Sequence, residues 1–150
     1  MKIMTEKLIL EKIDNIAKIT INNPSANTWD LESLAGLEEI IEHLNQDNEI
    51  FSLVITGQGE KFFSAGADLK VFQEGGKDAA KEMSNAFSRA FNSLSNFRGV
   101  SIAAINGFAM GGGLECALAC DIRVAEEKAL LALPEPKVGL LPCGGGTQVC

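Results

Sequence analysis

Two glutamates stand at positions where a carboxylate could do acid–base work. Glu115 lies inside the otherwise apolar stretch 114–119, where burying a carboxylate without a purpose is costly. Glu135 lies between Pro134 and Pro136, and proline on both sides stiffens the backbone and fixes where the side chain points. Two such carboxylates suit paired general acid–base catalysis. For either residue alone, simple solvent exposure is the alternative, and no periodicity brings the two together in space.

Two glycine-containing segments could offer backbone N–H groups to an anionic oxygen. In FFSAGADLK, residues 62–70, the small residues Ala65, Gly66 and Ala67 let a ligand approach the backbone closely; a plain tight turn is the alternative. In GFAMGGGLE, residues 107–115, three glycines precede a predicted helix and leave N–H groups free at the positive end of its dipole, where a developing oxyanion would be stabilised. A phosphate cradle lacks its GxxxxGK[ST] or GxGxxG pattern, and a glycine turn used only for packing stays open.

The apolar pattern around these segments predicts strands that alternate with helices. The predicted strands are 8–11 and 16–21, joined by a turn at Asp14 and Asn15, then 51–55, 100–105 and 122–125. The predicted helices are 31–45, 77–97 and one that opens at the three glycines and runs to about residue 120. Several strands are apolar throughout, which indicates an α/β fold with buried sheets.

Composition and charge exclude several classes of function. With 150 residues, 46% hydrophobic and 22% charged, the chain is typical of one folded domain. Its net charge of -7 argues against binding nucleic acid or an anionic membrane, both of which favour a basic surface. The chain has one histidine, and its four cysteines have no CxxC spacing. It therefore lacks the ligands typical of a zinc site and the residues typical of a Ser-His-Asp triad.

The beginning of the chain shows no targeting pattern. MKIMTEKLIL carries Glu6 within its short apolar stretch, and no long apolar segment follows, as a secretion signal would require. No run approaches the roughly 20 apolar residues of a membrane span. We therefore expect a cytoplasmic protein.

Three long motifs, in order and in register, resemble the enoyl-CoA hydratase/isomerase (crotonase) family. They are FFSAGADLK, IAAINGFAMGGGLECALACDIRVA and ALPEPKVGLLPCGGGTQ, and ITINNPSANTWDLESL resembles the family's first strand, loop and helix. The resemblance covers nearly the whole chain. It implies an α/β crotonase (ClpP/crotonase-like) fold of repeated ββα units, of which residues 1–150 form the N-terminal core only.

The resemblance also implies roles for individual residues. Glu115 and Glu135 match the two catalytic glutamates of the hydratase branch, with Glu115 as base and Glu135 as acid. Ala67 and Gly112 match the two N–H donors of the oxyanion hole. The residues implied to bind the CoA substrate are Ala65, Ala67, Asp68, Leu69, Lys70 and Gly112. No metal and no separate cofactor are implied, because coenzyme A is part of the substrate.

The implied activity is hydration of trans-2-enoyl-CoA to 3-hydroxyacyl-CoA in fatty-acid β-oxidation. One alternative is a Δ3,Δ2-enoyl-CoA isomerase, which a suitably placed Glu135 without Glu115 would favour. A second is an inactive truncated remnant that at most binds acyl-CoA. A dinucleotide-binding module is a third, disfavoured because GxGxxG and a ribose-binding acid are missing.

The resemblance leads to a further expectation about the end of the chain. The family continues beyond the GGGTQ motif through helices that complete the acyl pocket and assemble subunits into trimers or hexamers, whereas here Val149 and Cys150 follow that motif. We therefore expect the domain 1–150 to lack the C-terminal helical oligomerisation segment and to expose apolar surface in its place. Whether this 150-residue form is active is left open by the sequence.

Overall fold

The computed structural model describes residues 5–149, without the side chains of residues 72–74. The described strands are β1 (Leu8–Ile13), β2 (Ile16–Ile21), β3 (Ser52–Gly57), β4 (Phe62–Ser64), β5 (Val100–Ile105), β6 (Phe108–Met110), β7 (Ile122–Ala125) and β8 (Leu131–Ala132). The described helices are α1 (Leu31–Gln46), α2 (Lys70–Ser95), α3 (Gly112–Leu118) and a 3-10 helix (Glu135–Val138).

Five strands form a sheet that carries the main core. Their order is β1-β2-β3-β5-β7; β1 and β2 are an antiparallel hairpin, and the remaining neighbours pair in parallel. Helix α1 begins at a capping box, in which Asp30 accepts from the Ser33 N–H and the Ser33 hydroxyl accepts from the Asp30 N–H. Its apolar face is buried through Leu34, Leu37, Ile40, Ile41 and Leu44. This periodicity is why α1 packs into the core.

A second, smaller sheet positions the candidate site. Its order is β4-β6-β8, and both pairings are parallel. The carboxyl ends of parallel strands meet at one edge of a sheet. The segments that follow the three strands therefore leave from the same edge: residues 65–67 after β4, 111–112 after β6 and 133–135 after β8.

Most of the predicted elements are confirmed. Five of them lie where they were predicted, within a residue or two at their ends: the two strands of the hairpin, the strands at 100–105 and 122–125, and the helix at 31–45. Helix α2 was predicted from residue 77 but begins at Lys70. Its backbone is not helical at Gly76 (φ 62°, ψ −151°). A short helical segment before Gly76 therefore precedes the longer amphipathic segment that the apolar periodicity predicted.

The second sheet was missed entirely. Strands β4 and β6 have three residues each and β8 has two, which is too short for an alternating pattern to register. The loop predicted around Glu135 is a 3-10 helix that begins at that residue. Within residues 5–149, no helix has both the length and the apolar character needed to cross a membrane; residues 1–4 of the expected non-targeting N-terminus lie outside the described part.

Candidate active site

A cavity of about 500 Å³ opens at the carboxyl edge of the second sheet. Its walls are mostly apolar, with a few polar groups among them, which is the usual character of a small-molecule site. Helix α2 contributes Ala80, Ser84 and Phe87 to one wall. The sequence-predicted residues that line the cavity are Ala65, Ala67, Leu69, Gly112, Glu115 and Glu135.

The N–H group of Ala67 is available to a ligand. Ala67 forms an isolated parallel bridge with Trp29, in which the Trp29 N–H donates to the Gly66 carbonyl and the Asp68 N–H donates to the Trp29 carbonyl, both at 2.8 Å. This pattern turns the Ala67 N–H away from Trp29. Within residues 5–149, no intrachain acceptor receives it.

The N–H group of Gly112 is available for a related reason. Gly112 is the first residue of α3, and the first backbone bond of that helix is donated by the Glu115 N–H to the Gly111 carbonyl at 3.0 Å. The Gly112 N–H therefore precedes the helical ladder and points out of the helix start. Gly111 turns the chain into the helix with φ 54°, a conformation that glycine adopts without steric cost.

Glycines bring the two donor loops into contact. A Cβ built on Gly66 would lie 3.1 Å from the Gly112 nitrogen and 2.7 Å from the Met110 carbonyl oxygen, so a side chain at residue 66 would displace the second loop. A Cβ on Gly113 would lie 2.2 Å from the Ser64 carbonyl oxygen. The two loops abut because these glycines lack side chains, and the residues that carry the free N–H groups, Ala67 and Gly112, line the same cavity.

Glu115 is buried and rigidly held. Its residue is 2% exposed, and its Oε1 accepts from the Gly144 N–H at 2.8 Å and from the Gly146 N–H at 2.9 Å. Burial raises the pKa of the Glu115 carboxyl, the two backbone donors oppose that rise, and the negative charge of Glu135 adds to it. With Oε1 committed to the glycine turn, Oε2 is the oxygen free for chemistry.

Glu135 approaches from the opposite loop. A Cβ built on Gly111 would lie 2.9 Å from the Glu135 Oε1, so this carboxylate sits against the start of α3, one residue from the Gly112 donor. Its Oε2 is buried and accepts no hydrogen bond from the described residues. A buried oxygen without a donor is costly, and the cavity is where a donor on water or substrate would arrive.

Two predicted substrate-binding residues do not line the cavity. Asp68 and Lys70 lie just beyond it, where the Asp68 Oδ1 accepts from the Lys70 N–H at 3.1 Å. Their part in binding CoA stays a prediction. Conversely, the sequence reasoning did not assign roles to Ser84, Cys143 or the Gly144–Gly146 turn. Cys143 and the turn had only the signal of membership of the motif ALPEPKVGLLPCGGGTQ, and Ser84 lies in none of the motifs. Each meets Glu115 or the cavity through contacts distant in sequence.

The cysteines and the possible metal ligands among the described residues were also located. Cys116 and Cys120 are free and buried, and Cys143 is free and exposed; Cys150 lies outside the described residues. In the part of the chain from residue 5 to residue 149, no group of three or more His, Cys, Asp or Glu side chains could hold a metal ion.

Comparison with known proteins identifies the family. The family model described as "Enoyl-CoA hydratase/isomerase" matches residues 11–150. The chain belongs to the enoyl-CoA hydratase/isomerase family. A short-chain-enoyl-CoA hydratase of Clostridium acetobutylicum is 38% identical over 142 residues, which cover 94% of this chain and 54% of that protein.

Solved structures of related proteins share this fold. Pseudomonas aeruginosa DspI is 66% identical with a TM-score of 0.95, over 97% of this chain and 59% of that one. A Thermobifida fusca protein solved in complex with acetoacetyl-CoA is 34% identical with a TM-score of 0.83, over 95% of this chain and 59% of that one. The fold is the crotonase fold, as predicted, and the chain spans about half the length of the curated relatives it matches.

Proposed function

We propose that the protein is an enoyl-CoA hydratase, which adds water to trans-2-enoyl-CoA and forms 3-hydroxyacyl-CoA. The observation that carries the proposal is the convergence of two carboxylates, Glu115 and Glu135, with two unpaired N–H groups, Ala67 and Gly112, on one cavity. A related protein bound to acetoacetyl-CoA supports an acyl-CoA thioester as the ligand class. Two acids that hold a water and two donors that hold a thioester oxygen are the groups this reaction requires.

The proposed mechanism begins at the thioester carbonyl. The N–H groups of Ala67 and Gly112 donate to its oxygen, which polarises the conjugated double bond and makes the β-carbon electrophilic. As water attacks, negative charge develops on that oxygen as an enolate. Each donor of such a pair contributes about 3–4 kcal/mol in comparable oxyanion holes.

The two glutamates divide the proton transfers. Glu115 removes a proton from the water as the oxygen bonds to the β-carbon, and Glu135 supplies a proton to the α-carbon. The two N–H donors on Oε1 of Glu115 favour its ionised form, which suits a base. The reaction consumes only water and the enoyl thioester, so it needs neither a metal nor a redox cofactor.

The position of Glu115 favours hydration over isomerisation. A double-bond shift needs one carboxylate to move a proton between two carbons, whereas hydration also needs a second group that activates water. Here Glu115 is oriented by two backbone donors from the Gly144–Gly146 turn, and its free oxygen lines the same cavity as Glu135. Building and burying this second carboxylate would serve no purpose in an isomerase.

The test is direct. Purified protein is incubated with crotonyl-CoA, and loss of the conjugated-enoyl absorbance is followed, with a Glu115→Gln/Glu135→Gln double variant as the blank. We expect hydration by the wild type and none by the blank. A 3-enoyl-CoA substrate runs in parallel: conversion of that substrate without hydration of crotonyl-CoA would replace the hydratase with an isomerase. Binding of acyl-CoA without either reaction would indicate a remnant.

Three broader features belong to the same proposal. The pathway would be fatty-acid β-oxidation in the cytoplasm, and the whole protein would assemble as a homo-trimer or hexamer. Support for assembly comes from strand β7 at the edge of the larger sheet, where Ile122 and Val124 are 47% and 61% exposed. Apolar side chains at a sheet edge usually mark a surface that another element or subunit covers. Light scattering of the purified protein measures this mass.

A further inference from the structure

Three buried aromatic side chains lie between the segments that carry the reactive groups of the cavity. They are Trp29, Phe87 and Phe91, and each is at most 2% exposed. The ring centroids of Trp29 and Phe91 are 5.9 Å apart with the planes at 78°, and those of Phe91 and Phe87 are 5.4 Å apart at 62°. Edge-to-face pairs of this kind are favourable contacts between aromatic rings. Phe91 is the centre of this aromatic cluster, because it contacts both of the other rings.

At one end of the aromatic cluster, the backbone of Trp29 holds the first oxyanion loop. Its N–H donates to the Gly66 carbonyl and its carbonyl accepts from the Asp68 N–H, both at 2.8 Å, so one residue fixes Ala67 from both sides. The indole Nε1 of Trp29 is buried and has no acceptor in the part of the chain that the structure describes. A buried donor without a partner costs free energy. Packing against Phe91, rather than a polar contact, therefore holds the indole in place.

The other two rings pack against the remaining reactive segments. A Cβ built on Gly112 would lie 2.7 Å from the Phe87 Cε1, so this ring lies against the residue that carries the second free N–H. A Cβ built on Gly144 would lie 2.8 Å from the Phe91 Cδ2, and the Gly144 N–H donates to Oε1 of Glu115 at 2.8 Å. The aromatic cluster thus contacts both oxyanion segments and the turn that orients Glu115.

These segments need a rigid support because their closest positions are glycines. Gly66, Gly112 and Gly144 stand at those positions, and glycine has more backbone freedom than any other residue. A close-packed ring cannot shift without disturbing its neighbours, so Phe91 limits how far the segments move relative to one another. Phe87 lines the cavity, whereas Phe91 does not. Phe91 therefore acts on a ligand only through the groups that it contacts.

We propose that Phe91 is a positioning residue, whose ring fixes the spacing between the two oxyanion donors and the turn that orients Glu115. The inference rests on the proposed hydratase function and goes beyond it, because Phe91 touches neither substrate nor water in that mechanism. The spacing matters because a misplacement of ~1 Å costs an oriented site about 100-fold in rate. Interactions of this kind act mainly in the transition state, so their loss lowers kcat more than it raises KM.

The kinetic test compares Phe91→Leu with a matched control, Phe97→Leu, on crotonyl-CoA. Phe97 is 6% exposed, lies against Gly99 just beyond the end of α2, and does not line the cavity. Both variants remove a buried ring and should lower Tm to a similar degree. We expect kcat per folded molecule to fall about 10- to 100-fold in Phe91→Leu and to stay at the wild-type value in Phe97→Leu. Equal kcat in the two variants would overturn the inference.

A second variant keeps this test decisive if Phe91→Leu does not fold. Phe91→Met fills the space with a flexible side chain, so it preserves more of the core while it removes the rigid ring. We expect its kcat to fall in the same direction as in Phe91→Leu. Wild-type kcat in Phe91→Met would show that a rigid ring is not needed at this position, and the inference would fail.

A bound chromophore gives a readout that a loss of stability alone would not move. In 4-dimethylaminocinnamoyl-CoA the amino group is conjugated with the thioester carbonyl, so hydrogen bonds to the carbonyl oxygen shift the absorption to longer wavelength. At saturating protein, this shift reports how well the N–H groups of Ala67 and Gly112 are aligned. We expect a smaller shift with Phe91→Leu than with the wild type, and the wild-type shift with Phe97→Leu.

The two measurements together separate this inference from the function on which it rests. Absence of crotonyl-CoA hydration by the wild type would overturn the proposed function, and the inference with it. Hydration by the wild type, combined with wild-type kcat and an undiminished spectral shift in Phe91→Leu, would overturn the inference alone. Lower kcat and a smaller shift in Phe91→Leu, with neither change in Phe97→Leu, is the result expected of a positioning residue.

Discussion

The core under the five-stranded sheet differs from the cavity at the edge of the three-stranded sheet in which groups it buries and whether its backbone groups are paired. In the core, apolar side chains such as Leu37, Ile40 and Ile55 are fully buried, and the backbone of sheet and helix is paired in regular ladders. At the cavity, glycines replace side chains at the closest contacts, two N–H groups are unpaired, and a carboxylate is buried at Glu115.

This difference separates stability from chemistry within one chain. Packing apolar side chains stabilises the fold, whereas an unpaired N–H or a buried carboxylate costs free energy. Such costs are common at functional sites, which the rest of the structure stabilises. Substitutions in the two regions should therefore have opposite signatures, and three of them test this.

The largest effect is expected from Glu115→Gln. Turnover of crotonyl-CoA should fall about 10²- to 10⁴-fold, because the variant lacks one of the two proton-transfer groups. The stability of the fold should instead increase. Since burial raises the pKa of Glu115 in the folded state, the native protein binds this proton more tightly than the unfolded chain, and ionisation above that pKa costs stability. A neutral glutamine avoids that cost.

Thermal unfolding at neutral pH should thus give a higher Tm for Glu115→Gln than for the wild type, and the gap should close as pH falls below the raised pKa. Glu127→Gln, at an exposed position, is the matched control and should change neither turnover nor Tm. A lower Tm in Glu115→Gln at neutral pH would mean that the carboxylate stabilises the fold, and the contrast between the two regions would then fail.

The second effect concerns the oxyanion donor at Gly112. Replacement by alanine or by proline adds a Cβ that would lie 2.7 Å from the Phe87 Cε1, so both variants disturb packing in the same place. Only proline removes the N–H, and proline is compatible with the first position of a helix. Turnover of Gly112→Pro should be about 10²- to 10³-fold below that of Gly112→Ala. Equal turnover in the two variants would show that this N–H does not bind the thioester oxygen.

The smallest effect lies in the core. Ile55→Val should lower the free energy of unfolding by about 0.5–1.5 kcal/mol, because it removes one buried methylene and leaves a small cavity. Turnover per folded molecule should stay at the wild-type value, since strand β3 contributes no side chain to the cavity wall. Urea unfolding measures the first quantity and crotonyl-CoA hydration the second. A matched fall in turnover would indicate that the core and the site are not independent.

The sequence by itself determined the elements of the larger sheet and the identity of the reactive groups. The strands at 16–21 and 100–105 and the helix from Leu31 were predictable, because each buries an apolar face whose period is visible locally. The strand at 122–125 was predictable from its apolar, β-branched residues, although all four of its residues are exposed. Glu115 and Glu135 stood out because a carboxylate in an apolar helix and one between two prolines are both unusual. The motifs that resemble the family then assigned them roles.

Tertiary structure alone decided where these groups meet. Strands β4, β6 and β8 are too short to predict. Because they pair in parallel, the segments that follow them place Ala67, Gly112 and Glu135 at one edge of the smaller sheet. The donors that orient Glu115 come from residues 29 and 31 positions further along the chain. Contacts of this kind leave no periodic trace in the sequence, because they depend on backbone groups that every residue carries and on the absence of side chains at glycine.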